Sequence, residues 1–133
     1  MKRSTGELLS AGSGNSATHI MEEFMLKKGS IIMVDFGPGV GHEQQCHRPA
    51  LIVTSEGFHR RMGFAWAVPI TNQVKGRPDE IPLPLGLKTT GVVLFSQIKM
   101  LDLKAREFSF REQVPDRFMD DEVTGRLISV LED

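Results

Sequence analysis

The sequence predicts a mainly β domain of the α+β class, a small β-barrel or compact sheet completed by one carboxy-terminal helix. Three observations carry this. Short apolar runs of strand length recur between residues 30 and 114, each stopped by Gly, Pro or a polar cluster. After Pro115 the hydrophobic period changes from alternate residues to every fourth or fifth. At 133 residues, with 40% hydrophobic and 25% charged positions, the chain has the size and composition of one globular domain.

Residues 1–26 differ in character, with Gly6, Ser10, Gly12, Ser13, Gly14, Asn15 and Ser16 among few bulky apolar side chains. They read as a flexible extension preceding a domain over residues 27–133. Met21 and Met25 both stand just before the first strand, so either suits a natural start. That strand is Ser30–Phe36, rich in β-formers and stopped by Gly37, Pro38 and Gly39. A polar loop from Val40 to Arg48 leads into a second strand, Pro49–Thr54. Phe64–Thr71 is the third, with Pro69 implying a bulge or an edge position. Asp79–Leu85 is a weak, Pro-broken fourth. Gly91–Leu101 reads as one long strand, and Arg106–Val114 alternates Phe108 and Phe110 with polar neighbours. The helix starts at Pro115 and Asp116, carries acidic residues in its first turns, and sets Phe118, Val123, Leu127 and Leu131 in one apolar stripe.

No apolar run is long enough to span a membrane, and the amino terminus lacks the apolar block of a secretory signal, so a cytoplasmic location is expected. Cys46 is the only cysteine, which excludes an intrachain disulfide. The net charge of −1 at first argues against a nucleic-acid partner. Its distribution is uneven, however. Residues 27–77 carry seven Lys/Arg against three Asp/Glu, residues 88–111 five against two, and residues 112–133 two against seven. A basic face for an anionic substrate is compatible with this pattern, as is a normally solvated surface with an acidic helix.

The densest concentration of chemistry lies in Gly41 to Pro49, which sets His42, Glu43, Gln44, Gln45, Cys46, His47 and Arg48 between two strands. Zinc is disfavoured, because a catalytic site needs three converging ligands and the adjacent Cys46 and His47 seldom converge. Arg48, held at a strand mouth by Pro49, suits a bidentate grip on phosphate, or a structural ion pair. Thr71 at a strand end could donate to a phosphate oxygen or be an ordinary β-former. Ser96 and Gln97 interrupt an apolar run, either at one end of the barrel or on its outward face. Trp66 and Phe64 read as core. Phe58, beside His59, Arg60 and Arg61, lies in a basic segment, Glu56–Gly63, that reads as an exposed loop suited to stacking and binding RNA.

The succession Lys28 to Phe36, Gly41-His42-Glu43-Gln44-Gln45, Arg48-Pro49-Ala50, Pro69-Ile70-Thr71, Thr89-Thr90-Gly91-Val92-Val93, Gln97 and Asp102 to Arg106 resembles the MazF/PemK (Kid) toxins in order and in spacing. The likeness covers about residues 27–133 and is closest to the PemK/Kid and ChpB branch. It implies an SH3-like barrel of the CcdB/Kid/MazF type and a homodimeric endoribonuclease, independent of metal or cofactor, restrained by a cognate antitoxin. Single-stranded RNA would be cut by its own 2′-hydroxyl, leaving a 2′,3′-cyclic phosphate and a 5′-hydroxyl. Matched to the family, Arg48, Thr71, His42 and Glu43 are the catalytic candidates. Gln44, Gln45, His47, Phe58, Arg60, Arg61, Lys75, Ser96 and Gln97 are the RNA-binding ones. The sequence departs from the Kid pattern where that branch carries an arginine and an aspartate proposed as acid and base; here Leu94 and Ser96 stand instead. The alternatives are a non-catalytic, CcdB-like gyrase-binding toxin, which would not need Arg48 and Thr71, and an inactive relative that keeps the fold.

Overall fold

The β-branched and apolar alternation of Ser30–Asp35 makes β1, which lies between β2 (His47–Ile52) and β7 (Phe108–Gln113), antiparallel to both. This computed structural model describes residues 26–36 and 47–132 of the chain. The remaining strands are β3 (Phe64–Thr71), β4 (Glu80–Pro82), β5 (Val92–Leu94) and β6 (Lys99–Asp102). The sheet runs β4-β5-β3-β2-β1-β7, with β6 pairing β3 off that path. The mainly β fold with a terminal helix is the one expected, drawn here as an open path of strands.

β1 buries both faces. Ile31 joins Leu51, Val68, Ile70 and Val93 in a core roofed by Phe118, Met119 and Val123 of the terminal helix. Ile32 and Val34 join Ala50, Ile52, Ala65, Ala67, Leu101 and Leu103 on the other side. Leu26 is part of this second core at 2% exposure. Its carbonyl accepts a hydrogen bond from His59 Nδ1 at 3.0 Å.

Three readings of the sequence are corrected. Glu56–Gly63 is no loop: Glu56–Met62 forms α1, capped by Ser55, whose hydroxyl accepts the Phe58 N–H, and stopped by Gly63 at φ +80°. Gly91–Leu101 is no single strand, because Phe95–Gln97 winds as a 3₁₀ turn between β5 and β6. That break hands β3 from one neighbour to the other, β6 pairing Phe64 to Ala67 and β5 pairing Ile70 and Thr71. Pro69 lies in the gap between them, a local edge where no ladder donor is required, so of the two positions expected for it the edge is present and the bulge is not. Trp66 is not core; it is 43% exposed, its ring edge-on to Phe58, which also packs edge-on against Phe64.

The terminal helix runs through α2 (Asp116–Phe118), a π-helical stretch (Met119–Thr124) and α3 (Gly125–Leu131). The wider π turn absorbs the five-residue step from Phe118 to Val123 and keeps both on the buried face. Leu131 does not complete that stripe; beyond the sheet it is 84% exposed.

Candidate active site

Residues 50–52 of β2 pair residues 69–67 of β3. Continued by two residues, this register sets Arg48 opposite Thr71. Side chains alternate along a strand, so Arg48, Ala50 and Ile52 share one face, as do Ala67, Pro69 and Thr71. Ala50, Ile52 and Ala67 are second-core residues. Arg48 and Thr71 therefore extend that face past the edge of the core, where Arg48 is exposed and Thr71 half-buried. Among the described residues no acceptor holds the Arg48 guanidinium, so the structural ion pair does not form there. The strand fixes its backbone, through pairing with Val34, while leaving the charge available.

Thr71 is held from two sides. Its hydroxyl oxygen accepts the Gln73 N–H at 3.0 Å, which leaves the hydroxyl proton for an outside acceptor. Behind it runs Gly91, at φ +115°. Lys99 pairs with Ala67 and so shares the Arg48 face, its Nζ 5.9 Å from the ring centroid of Phe36. This second cation was missed by reading Gly91–Leu101 as one uninterrupted strand.

Next to Thr71, two carboxylates fasten the connection to β4. Glu80 accepts the N–H groups of Lys75 and Gly76 at 2.9 and 3.0 Å. Asp79 accepts Arg77 Nε at 3.0 Å and Nη2 at 3.4 Å, and also the hydroxyl of Ser96. The Arg77 guanidinium first, then Ser96, hold the Asp79 carboxyl below its usual range, and the same pairing raises Arg77. Opposed charges two residues apart, at Arg77 and Asp79, were the sequence signal for this pair.

A third carboxylate, Glu112 on β7, accepts the N–H groups of Lys88 and Thr89 at 2.9 and 2.8 Å and the Thr89 hydroxyl at 2.6 Å. Burial pushes its pKa up, but the hydrogen bonds from Thr89 and from the Lys88 and Thr89 backbone outweigh this and leave it lowered. The segment before Gly91 is thereby tied to the sheet.

The structure brings together only part of the set expected from sequence. His42, Glu43, Gln44 and Gln45 fall in 37–46, outside the described residues, as does Cys46. His47 is exposed in β2 beside Arg48. Lys75 is exposed in the loop after Thr71, and Gln97 in the 3₁₀ turn. Ser96 is engaged by Asp79. Phe58, Arg60 and Arg61 sit on α1, at the opposite end of β3. The eight residues of that strand separate Phe64 from Thr71 by roughly 23 Å. Phe58 is half-buried against Phe64 and Trp66 rather than in an open loop, and Arg60 is paired with Glu56 at 3.3 Å. Among the described residues no group of three His, Cys, Asp or Glu could hold a metal ion.

Comparison with known proteins settles the family. Residues 27–131 match the PemK-like, MazF-like toxin of type II toxin-antitoxin system. The chain belongs to this family. It is 39% identical over 110 residues to the endoribonuclease PemK of Escherichia coli, covering 80% of this chain and 82% of that protein. The crystal structure of MazF from Deinococcus radiodurans superposes with a TM-score of 0.68 at 33% identity, over 81% of this chain and 97% of that one. The MazE–MazF structure from the same organism gives 0.67 at 29%, over 80% and 95%. Against the PemK/MazF background, the open strand path corresponds to the barrel-like MazF fold. Among the described residues no helix is long and apolar enough to cross a membrane.

Proposed function

We propose that this PemK/MazF-family chain is a cytoplasmic endoribonuclease toxin that cuts single-stranded RNA without a metal or cofactor. One observation carries the reading: the β2–β3 register, continued two residues past Ala50 and Pro69, sets the exposed Arg48 opposite the half-buried Thr71 on one face, and among the described residues the guanidinium has no partner. A cation and a hydroxyl fixed on rigid strands form a ready phosphate site. The relatives point the same way, since PemK is an endoribonuclease.

In the reaction the 2′-oxygen bonds to the neighbouring phosphorus, and the bond from phosphorus to the 5′-oxygen breaks. A base takes the 2′-hydroxyl proton and an acid returns one to the departing 5′-oxygen. Arg48 stabilises the charge on the phosphorane, and Thr71 donates its hydroxyl proton to a phosphate oxygen. His42 and Glu43, which lead toward Arg48 in the chain, are the candidates for the base and acid roles. A neutral histidine, with an ordinary pKa of about 6.5, suits the first role near neutral pH. Two copies related by a two-fold axis would double the cationic surface offered to RNA. By analogy with the MazE–MazF complex, an antitoxin with an acidic segment would cover Arg48.

The test is cleavage of a long single-stranded RNA by the purified protein in EDTA, beside an Arg48→Ala variant shown folded by circular dichroism. Discrete cuts ending in cyclic phosphate, lost in the variant, are expected. No cutting by the folded wild type on several RNAs would overturn the reading in favour of a gyrase-binding or inactive toxin.

A further inference from the structure

The connection from Thr71 to β4 is fastened more than a simple turn requires. Thr71 accepts the Gln73 N–H, Thr90 donates to Asn72 Oδ1 at 2.9 Å, and Glu80 accepts from Lys75 and Gly76. Asp79, only 9% exposed, is pinned by Ser96 on one side and takes Arg77 on the other. The side chains of Gln73, Val74, Lys75 and Arg77 remain exposed. Such a loop has lost its conformational freedom before any ligand arrives, which is the condition for selective binding.

The chemistry of the loop narrows the ligand. Lys75 and Arg77 are balanced by Asp79 and Glu80, so the loop offers no net charge to a phosphate. Asp79 occupies the Nε and Nη2 edge of Arg77. The other edge, one N–H on each of Nη1 and Nη2, has no acceptor among the described residues. Two parallel donors in a fixed fork match two adjacent acceptors on a neutral base. Guanine presents that pair at O6 and N7, whereas adenine sets a donor beside its N7. In single-stranded RNA this edge is open.

We propose that Arg77, held edge-on by Asp79 and Ser96, reads a guanine in the RNA strand beside the cleaved bond, an inference that rests on the endoribonuclease reading above. Arg77 touches the base; Asp79 and Ser96 are positioning residues.

The experiment maps the ends of all cuts made in a long single-stranded RNA by the full-length wild type and by Arg77→Ala, Arg77→Lys and Asp79→Asn, each shown folded by circular dichroism. The wild type is expected to require guanine at one fixed position near the cut. Arg77→Ala lowers that preference about 5- to 150-fold at that position alone. Arg77→Lys does not restore it, because a point charge lacks the fork. Asp79→Asn relaxes the same position less, a change a merely structural role would not confine to one base. The proposal falls if Arg77→Ala keeps the wild-type profile, or if the relaxed base is a pyrimidine. It falls equally if cutting drops uniformly at all sites with a salt slope shallower by about one, the mark of a phosphate contact. Absence of cutting by the wild type removes the endoribonuclease reading and this proposal together; cutting with an unchanged profile removes this one alone.

Discussion

A β-carbon built on Gly91 would stand 2.3 Å from the carbonyl oxygen of Thr71. The backbone that leads into β5 therefore lies directly against the backbone of the residue whose hydroxyl is assigned to phosphate, and only a residue without a side chain permits that approach. Gly91 also sits at φ +115°, a conformation that costs other residues about 1–3 kcal/mol. Gly91→Ala is expected to lower stability by at least that amount, because the clash is with backbone and cannot relax by rotation. In the fraction still folded, RNA cleavage should fall further than in a surface control of equal stability. Urea unfolding followed by single-turnover cleavage at matched folded fraction checks both; an unshifted midpoint would show that the close approach is not real.

Glu112 acts on the same segment from the other side. Its carboxylate gathers three donors from Lys88 and Thr89, and Arg111 Nε donates to the Thr89 hydroxyl at 2.8 Å. Because its folded pKa lies below the ordinary 4.5, the unfolded chain binds the proton more readily. The stabilisation is present above 4.5 and is lost as pH falls through the lowered folded value. Glu112→Gln should therefore unfold at lower urea near pH 7, and the gap from wild type should close in acid. Urea midpoints from pH 7 down to pH 3 test this. A constant gap would mean that the charge contributes nothing.

At Arg48 the expectation separates chemistry from stability. Among the described residues its guanidinium has no partner, so replacing it leaves folding within about 0.5 kcal/mol of wild type. Arg48→Ala should lose cleavage by about 100- to 1000-fold, the usual cost of removing one charge-stabilising donor. Arg48→Lys should recover little, since a lysine cannot bind two phosphate oxygens in one plane. Steady-state cleavage with thermal unfolding on the same samples decides; a Lys variant near wild-type rate would reduce Arg48 to a point charge.

The strands were legible because their composition is unambiguous: Ser30–Asp35 and Phe64–Thr71 are apolar, β-rich and stopped by turn residues. Arg48 and Thr71 were legible as types at strand ends, but their apposition depends on register, which no single strand encodes. The helix at Glu56–Met62 was missed although Ser55 and Gly63 cap it, because its seven residues include Gly57 and offer no apolar stripe. Trp66 misled for a different reason. Its own strand is buried, yet the terminal helix covers only the part of that face beyond it, around Val68 and Ile70. Asp79 looked like part of a weak strand; its role appears only when the break at Phe95–Gln97 swings Ser96 against it.

His59 supplies the clearest dependence on pH. It is 3% exposed, with Nδ1 3.0 Å from the Leu26 carbonyl and Nε2 2.7 Å from the Thr54 hydroxyl. A carbonyl only accepts, so Nδ1 carries the proton and neutral Nε2 accepts from Thr54, whose oxygen in turn accepts the Trp66 N–H at 3.1 Å. Protonating Nε2 would oblige the Thr54 hydroxyl to turn its own proton away and would leave a charged ring in a buried place. Burial accordingly lowers the His59 pKa below 6.5, despite opposing contributions from the Leu26 hydrogen bond and from Glu56. The unfolded chain then binds the proton first, so stability is full above about 6.5 and declines as pH drops toward the lowered folded value. The contact most exposed to this loss is Leu26, the first described residue of the chain. Unfolding midpoints between pH 8 and pH 5 should fall for the wild type and fall less for His59→Gln, which keeps a donor and an acceptor but cannot titrate. Proteolysis near residue 26 should quicken over the same interval. Parallel profiles for the two proteins would assign the acid sensitivity to other groups.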